Sequence, residues 1–172
     1  MKKITLMVIA MMGFAACVMA DDLLYNGEFK RLNAKGEAVG WSTTVTKGGS
    51  VKFFTTGAPD GGYAQFVLTE EGTFSMRQSM MKVLKPNTKY KVSFKLRGEN
   101  FSARNLGVVF INEGWSKSSG FNKLVPTPQW KEYEQVVTTP DYKKYVAIAF
   151  HAVKAKGTVE IADIEVEELD ND

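Results

Sequence analysis

Cysteine occurs once in the 172 residues, as Cys17, and histidine once, as His151. A single cysteine leaves no disulfide framework. A single histidine argues against a histidine-rich metal centre, and any Ser-His-Asp relay would have to use His151. Long apolar runs are also missing. The stretch from Ile4 to Ala16 has 13 residues, short of the roughly 20 a helix needs to cross a bilayer. Charge is nearly balanced, with 22 basic and 19 acidic residues, and no basic block or basic–aromatic motif points to nucleic acid. No window of about a dozen residues carries an apolar stripe at helical spacing.

The first residues are instead laid out for export. Lys2 and Lys3 precede the apolar run, and Val18-Met19-Ala20 places small or apolar residues before Asp21, the order of a cleavable secretory signal. Cleavage after Ala20 is the expected event, leaving residues 21–172 as a single secreted or periplasmic domain. Phe14-Ala15-Ala16-Cys17 resembles a bacterial lipoprotein cleavage box, with Phe14 where Leu is usual, so an envelope lipoprotein anchored to the membrane through Cys17 is the alternative. Without Lys2 and Lys3 the balance is 20 basic against 19 acidic residues, a net charge of +1. A mature chain without cysteine in an oxidising compartment must rely on a packed core, which about 150 residues can supply.

The body reads as strands. Tyr90, Val92, Phe94 and Leu96 alternate with Lys89, Lys91, Ser93, Lys95 and Arg97, between the Pro86-Asn87 turn and Gly98. Val146, Ile148 and Phe150 alternate with Tyr145, Ala147, Ala149 and His151. Further strands are expected at 41–46, 51–55, 63–68, 74–83, 106–112, 133–139 and 158–167, giving nine to eleven in all and an all-β, two-sheet sandwich. The segment 105–112 is apolar on both faces, with Leu106, Val108 and Phe110 on one and Val109 and Ile111 on the other, as in a strand covered on both sides. One side meets the opposing sheet; the other must meet a loop, a partner or a ligand.

Five segments, in order, resemble one family. Leu23-Leu24-Tyr25-Asn26-Gly27-Glu28-Phe29 resembles an opening of an apolar pair followed by Asn-Gly-Asp-Phe-Glu, and Gly40-Trp41 a Gly-Trp about a dozen residues on. Gln78, Val83, Leu84, Pro86, Asn87, Thr88, Tyr90, Val92, Ser93, Phe94 and Arg97 resemble its Gln-x-Val-x-Leu-Pro-Gly-Thr-x-Tyr-x-Leu-Ser-Phe-x-x-Arg stretch. Trp130-Lys131-Glu132-Tyr133 with Val137-Thr138 and Pro140, and Gly157-Thr158-Val159-Glu160-Ile161-Ala162-Asp163-Ile164, resemble its last two segments. The family is the carbohydrate-binding modules found beside bacterial cellulases and xylanases, the cellulase-C-type group of families 4 and 9. The resemblance implies a galactose-binding-like jelly roll and non-catalytic binding of a polysaccharide or oligosaccharide in a groove on one sheet. The alternative is an envelope structural or interaction protein that keeps the fold without a sugar site. The resemblance also implies a structural calcium ion. Asn26, Glu28 and Asp163 remain as its donors, but Lys30 and Ala162 stand where relatives carry acidic residues, and an ammonium repels a hard cation. The expectation is therefore no cofactor, with calcium doubtful.

A glycan face needs flat aromatic surface and hydrogen-bonding side chains. Trp41 and Trp130 match packing positions and are assigned to the core. Trp115 lies in the polar loop 112–122 after the doubly apolar strand, where ring stacking on a sugar competes with packing over a sheet edge; Phe121 is a weaker second. Ala147, Ala149 and Gly107 suggest a floor of small residues, with Tyr145, His151 and Arg97 beside it. Arg97, Gln78, Asn112 and His151 are the candidate polar contacts. Glu160, Asp163 and Glu165 resemble the catalytic strand of jelly-roll glucanases, but in a straight strand Glu160 and Asp163 point to opposite faces. A bulge at Ala162 would realign them, and the apolar pattern shifts there. The chain is expected to be no enzyme. Its partners are expected to be a glycan and a separate glycoside hydrolase or envelope protein.

Overall fold

The computed structural model describes residues 22–115 and 118–169; the expected leader and Cys17 lie outside the described residues. Eight strands follow in order: β1 (Ser42–Val45), β2 (Gly49–Phe54), β3 (Tyr63–Ser79), β4 (Lys89–Ser102), β5 (Asn105–Asn112), β6 (Ser118–Phe121), β7 (Lys131–Thr138) and β8 (Val146–Glu168). A 3-10 turn, Glu113–Trp115, follows β5.

All the pairings are antiparallel, and the two longest strands organise them. β3 pairs with β8 from Tyr63 opposite Ala162 to Ser79 opposite Ala147, with register shifts around Gly72. The first half of β8 also pairs with β5, and β5 with β6, while the second half of β3 pairs with β1. The second half of β8 pairs with β4, and β4 with β7, while the first half of β3 pairs with β2. One hydrogen-bonded sheet thus folds over into two layers. The first is β1, late β3, early β8, β5 and β6; the second is β2, early β3, late β8, β4 and β7.

Side chains cross the gap between the layers. Phe66 of the second layer stacks on Phe74 of the first at 4.2 Å, Tyr90 meets Phe110 at 6.2 Å, and Phe94 meets Phe121 at 4.8 Å. The expected inward faces of β4 (Tyr90, Val92, Phe94, Leu96) and β8 (Val146, Ile148, Phe150) are buried in this core. β5 is covered on both sides, as its pattern requires: Val109 and Ile111 join Ala147 and Ala149 in a second apolar cluster, with Tyr145 packed against it.

The strand count falls below nine because expected pairs of strands fuse. Segments 63–68 and 74–83 merge into β3, which stops at Ser79 with 81–83 forming a turn, and the runs beginning at 146 and 158 become β8. The glycines between them mark bends, not ends. Gly157 has φ 102°, and a Cβ there would lie 2.1 Å from the Asn100 carbonyl oxygen. A bulge follows in β8. Ser93 pairs with Glu165 but Lys95 with Ala162, so Asp163 and Ile164 together face Phe94, and Asp163 takes φ 49°. This moves the core face from Val159 and Ile161 to Ile164 and Val166.

Replacing Gly157 with Ala imposes both a disfavoured φ and a backbone collision. Gly157→Ala is expected to cost about 3 kcal/mol, read as a lower denaturant midpoint; an unchanged midpoint would show that the bend tolerates a side chain.

Candidate functional site

On the outer face of the first layer the strand pairings set up a row of polar and small residues. Ser75 of β3 lies opposite His151 of β8, His151 opposite Gly107 of β5, and Thr44 of β1 opposite Ser75. In the next row Ser42 lies opposite Arg77, and Arg77 opposite Ala149. The Trp115 ring meets the His151 ring edge-on, with centroids 5.2 Å apart. Trp115 is 39% exposed and sits in the left-handed region at φ 63°, a conformation that costs free energy for a residue of its size. Gly107 makes room: a Cβ there would lie 3.1 Å from His151 Nε2 and 2.6 Å from the Phe121 carbonyl oxygen.

Burial pushes the His151 imidazole below its ordinary value of 6.5, so it is neutral at pH 7 and offers one donor and one acceptor. Ser75 Oγ is buried and has no hydrogen-bond partner among the described residues. The patch therefore combines an exposed indole, a neutral imidazole and the exposed Arg77.

Glu113, which the sequence did not single out, fixes the turn that carries Trp115. Its Oε1 accepts hydrogen bonds from the backbone N–H groups of Lys143 (2.9 Å), Lys144 and Tyr145 (3.1 Å), at the entry to β8. With the Lys144 N–H the largest contributor and Glu113's own N–H the next, these backbone donors hold its carboxyl down at about 2. A glutamate two positions before an exposed tryptophan was the only signal, and its acceptor role depends on a segment 30 residues away.

Trp115 and His151 are thus brought together, while Tyr145 packs on the Val109, Ile111, Ala147 and Ala149 cluster and the other expected contacts are dispersed. Ala147 and Ala149 are 0% exposed, so this end of the expected floor is closed. Gln78 is 6% exposed, and its amide clamps the Tyr25 backbone, accepting from N–H at 2.9 Å and donating to C=O at 2.7 Å. Asn112 is buried and donates to the Asp141 carbonyl at 3.0 Å. Phe121 turns inward between Phe94 and Tyr133. These three placements correct the expected contact set: each side chain serves the packing of its own strand end.

Arg97 stands on the outer face of the second layer, where its Nε donates to Glu160 Oε2. Trp41 packs on Phe29, as assigned. Trp130, expected in the core, instead covers the Arg97 guanidinium, whose carbon lies 4.6 Å from the ring centroid. The bulge foreseen near Ala162 is present, yet it builds no carboxylate pair. Glu160 is held by Arg97 and Gln65, Asp163 lies beside Lys95, and Glu165 accepts from Ser93 at 3.4 Å.

The implied calcium donors do not fit an ion. The Asn26 amide is consumed by the backbone of Arg31 and Val39. Glu28 pairs with Lys30. Both Asp163 carboxylate oxygens are buried without a hydrogen-bond partner among the described residues. The Lys95 ammonium lies 3.2 Å from Oδ2, close enough for charge pairing though outside hydrogen-bonding geometry. Among the described residues no three histidine, cysteine or acidic side chains gather as a metal site. The Lys95 ammonium stands beside Asp163 and the Lys30 ammonium on Glu28, positive charges beside two of the donors a calcium ion would need.

A two-layer antiparallel sandwich with an aromatic–polar patch on one sheet face is the form of a ligand-binding module. The sequence profile described as a carbohydrate-binding domain, joining families 4 and 9, matches residues 21–156, and the chain belongs to that family. Solved structures agree on the fold. A family-61 module in complex with β-1,4-galactotriose is 19% identical at a TM-score of 0.63, over 87% of this chain and 100% of that one. A family-4 module is 21% identical at 0.59, over 84% and 99%. The CBM22-1 xylan-binding domain of Xyn10C from Paenibacillus barcinonensis is 14% identical at 0.58, over 89% and 97%. The enzymatically active domain of bacteriophage CBA120 tailspike protein 4 is 11% identical at 0.64, but this chain spans only 21% of its length. No curated protein matches in sequence. At the level of the domain, the chain stands among non-catalytic binding modules.

Two measurements check these assignments. The Glu113 carboxylate binds fewer protons folded than unfolded, so its stabilisation is present above pH 4.5 and lost as pH falls toward 2. Glu113→Gln should therefore be less stable than the parent at pH 6, with the gap closing as pH falls, as read by urea unfolding; a pH-independent gap would refute the carboxylate's role. Adding a chelator should leave the melting temperature unchanged, whereas a drop of several degrees would return calcium to the site.

Proposed function

We propose that this protein is an exported, non-catalytic binder of β-linked polysaccharides or their oligosaccharides, and that the sugar lies across the outer face of the first layer. Trp115 stacks on the apolar face of a pyranose ring, while His151 and Arg77 meet its hydroxyls. The observation that carries this reading is the exposed Trp115 ring set edge-on against a neutral His151, with the exposed Arg77 on the same sheet face. An exposed aromatic in a disfavoured backbone conformation is where function rather than packing is expected to set the geometry. Family membership supports the ligand class. Neighbours solved with β-1,4-galactotriose or described as xylan-binding support β-linked chains. Export rests on the Lys2-Lys3 start, the apolar run and Val18-Met19-Ala20, with anchoring through Cys17 the alternative. A separate glycoside hydrolase or envelope protein is the natural associate of a binder with no chemistry of its own.

One observation favours the interaction-protein reading: Ala147 and Ala149 are fully buried, so they offer no open floor beside Trp115. The same experiment decides between the two. Affinity electrophoresis through gels containing xylan, β-glucan or galactan should retard the parent protein. Trp115→Ala should weaken binding at least ten-fold, about 1.4 kcal/mol. Full retention by Trp115→Ala would move the site elsewhere, and no retardation in any gel would favour the interaction protein.

A further inference from the structure

The opposite face of the molecule holds a cavity of about 630 Å³ that the Trp115 site does not use. Its floor is a cross-strand row on the second layer. Gln65 of β3 lies opposite Glu160 of β8, and Glu160 opposite Arg97 of β4. The next row, Val67, Thr158 and Glu99, extends the floor in the same order.

The row is built as a unit. Glu160, 6% exposed, accepts from Gln65 Nε2 at 2.6 Å through one oxygen and from Arg97 Nε through the other. Arg97 is further packed against two rings that touch each other, with its guanidinium carbon 4.6 Å from the Trp130 centroid and 5.7 Å from that of Tyr63. Its Nε is spent on Glu160, while Nη1 and Nη2 have no hydrogen-bond partner among the described residues. The wall comes from the segment before β7. That segment approaches because residue 98 has no side chain: Gly98 N–H donates to the Thr127 carbonyl at 2.8 Å, and a Cβ at Gly98 would meet Pro126 at 2.9 Å. Pro128 and Asn100 line the rim.

We propose that this cavity is a second binding site, for a neutral polyhydroxylated ligand, namely one or two sugar residues of an uncharged glycan. Arg97 is the only basic residue lining it among the described residues, and its charge is met by Glu160, with Glu99 adding a further negative charge. A carboxylate or phosphate ligand would face net repulsion, whereas hydroxyl groups can accept from the free Nη groups and Asn100 and donate to Glu99. Val67 and Pro128 offer apolar surface to the C–H face of a ring. The side chains are already fixed by one another, so little ordering cost falls on binding. The two sites lie on opposite layers, so one protein can bridge two glycan chains.

The test is an amide-resolved NMR titration of the folded protein with xylotetraose, cellotetraose and β-1,4-galactotriose, run on the parent and on Trp115→Ala. Shifts at the Gln65 and Asn100 side-chain amides and at the Gly98 N–H are expected in both proteins, because the site does not depend on Trp115. Arg97→Lys keeps a cation beside Glu160 but removes the Nη donors, and Thr158→Trp fills the floor; each should weaken these shifts at least ten-fold in apparent Kd. Movement only around Trp115 and His151, or no movement with any of the three sugars, overturns the second site. Saturation by trigalacturonate in place of the neutral sugars overturns the ligand class. Failure of the first site would instead appear as a parent protein whose Trp115 indole does not shift, so the two readings fail separately.

Discussion

The antiparallel ladder between β3 and β8 carries both layers of this molecule. Each strand is longer than a single sheet of this size needs, at 17 and 23 residues, and each contributes one half to either layer. The ladder bends where Gly72 interrupts the register and Gly157 takes a positive φ, and that bend brings Phe66 onto Phe74 and Phe150. β1, β2, β4 and β5 pair directly with one of the two strands, and β6 and β7 reach them through one intermediate. A fault at the bend would therefore separate the layers and expose the shared core.

Because side chains alternate along a strand, the same ladder sorts every other residue to an outer face. On early β8 and late β3 those residues are His151, Ser75 and Arg77; on late β8 and early β3 they are Glu160, Gln65 and Tyr63. The bend turns these two sets onto opposite sides of the sandwich. The two faces also differ in chemistry. The first presents an exposed indole beside a neutral imidazole, supported by the Glu113 anion bound to three backbone amides. The second presents a guanidinium paired to a buried carboxylate and covered by Trp130. Near the Asp163 bulge, Lys30 and Lys95 supply the positive charge that relatives were expected to obtain from calcium.

Much of this was legible in single residues. The Tyr90–Leu96 and Val146–Phe150 alternations gave the inward faces directly, the double apolarity of residues 105–112 foretold cover on both sides, and the change of phase near Ala162 foretold a bulge. Trp115 stood out as an aromatic in a polar loop. Other residues were misread because their partners are distant in sequence. Gln78 faces Tyr25 across 53 positions, Phe121 turns onto Phe94, and Trp130 covers Arg97 instead of entering the core. Polarity marked Gln78 and Asn112 as contacts, but burial at strand ends turned both toward backbone groups.

The amino-acid order by itself determined the strand class, the inward face of most strands, the family and the export-like start, since these depend on local periodicity and short motifs. Only the tertiary structure decided which outward residues share a face. It joined Trp115 to His151, sent Arg97 to the other side, closed Ala147 and Ala149 beneath a cover, and placed ammonium groups around Asp163. The physical reason is that alternation fixes inside against outside along one strand, whereas neighbours across strands are set by register, bends and bulges formed between segments tens of residues apart.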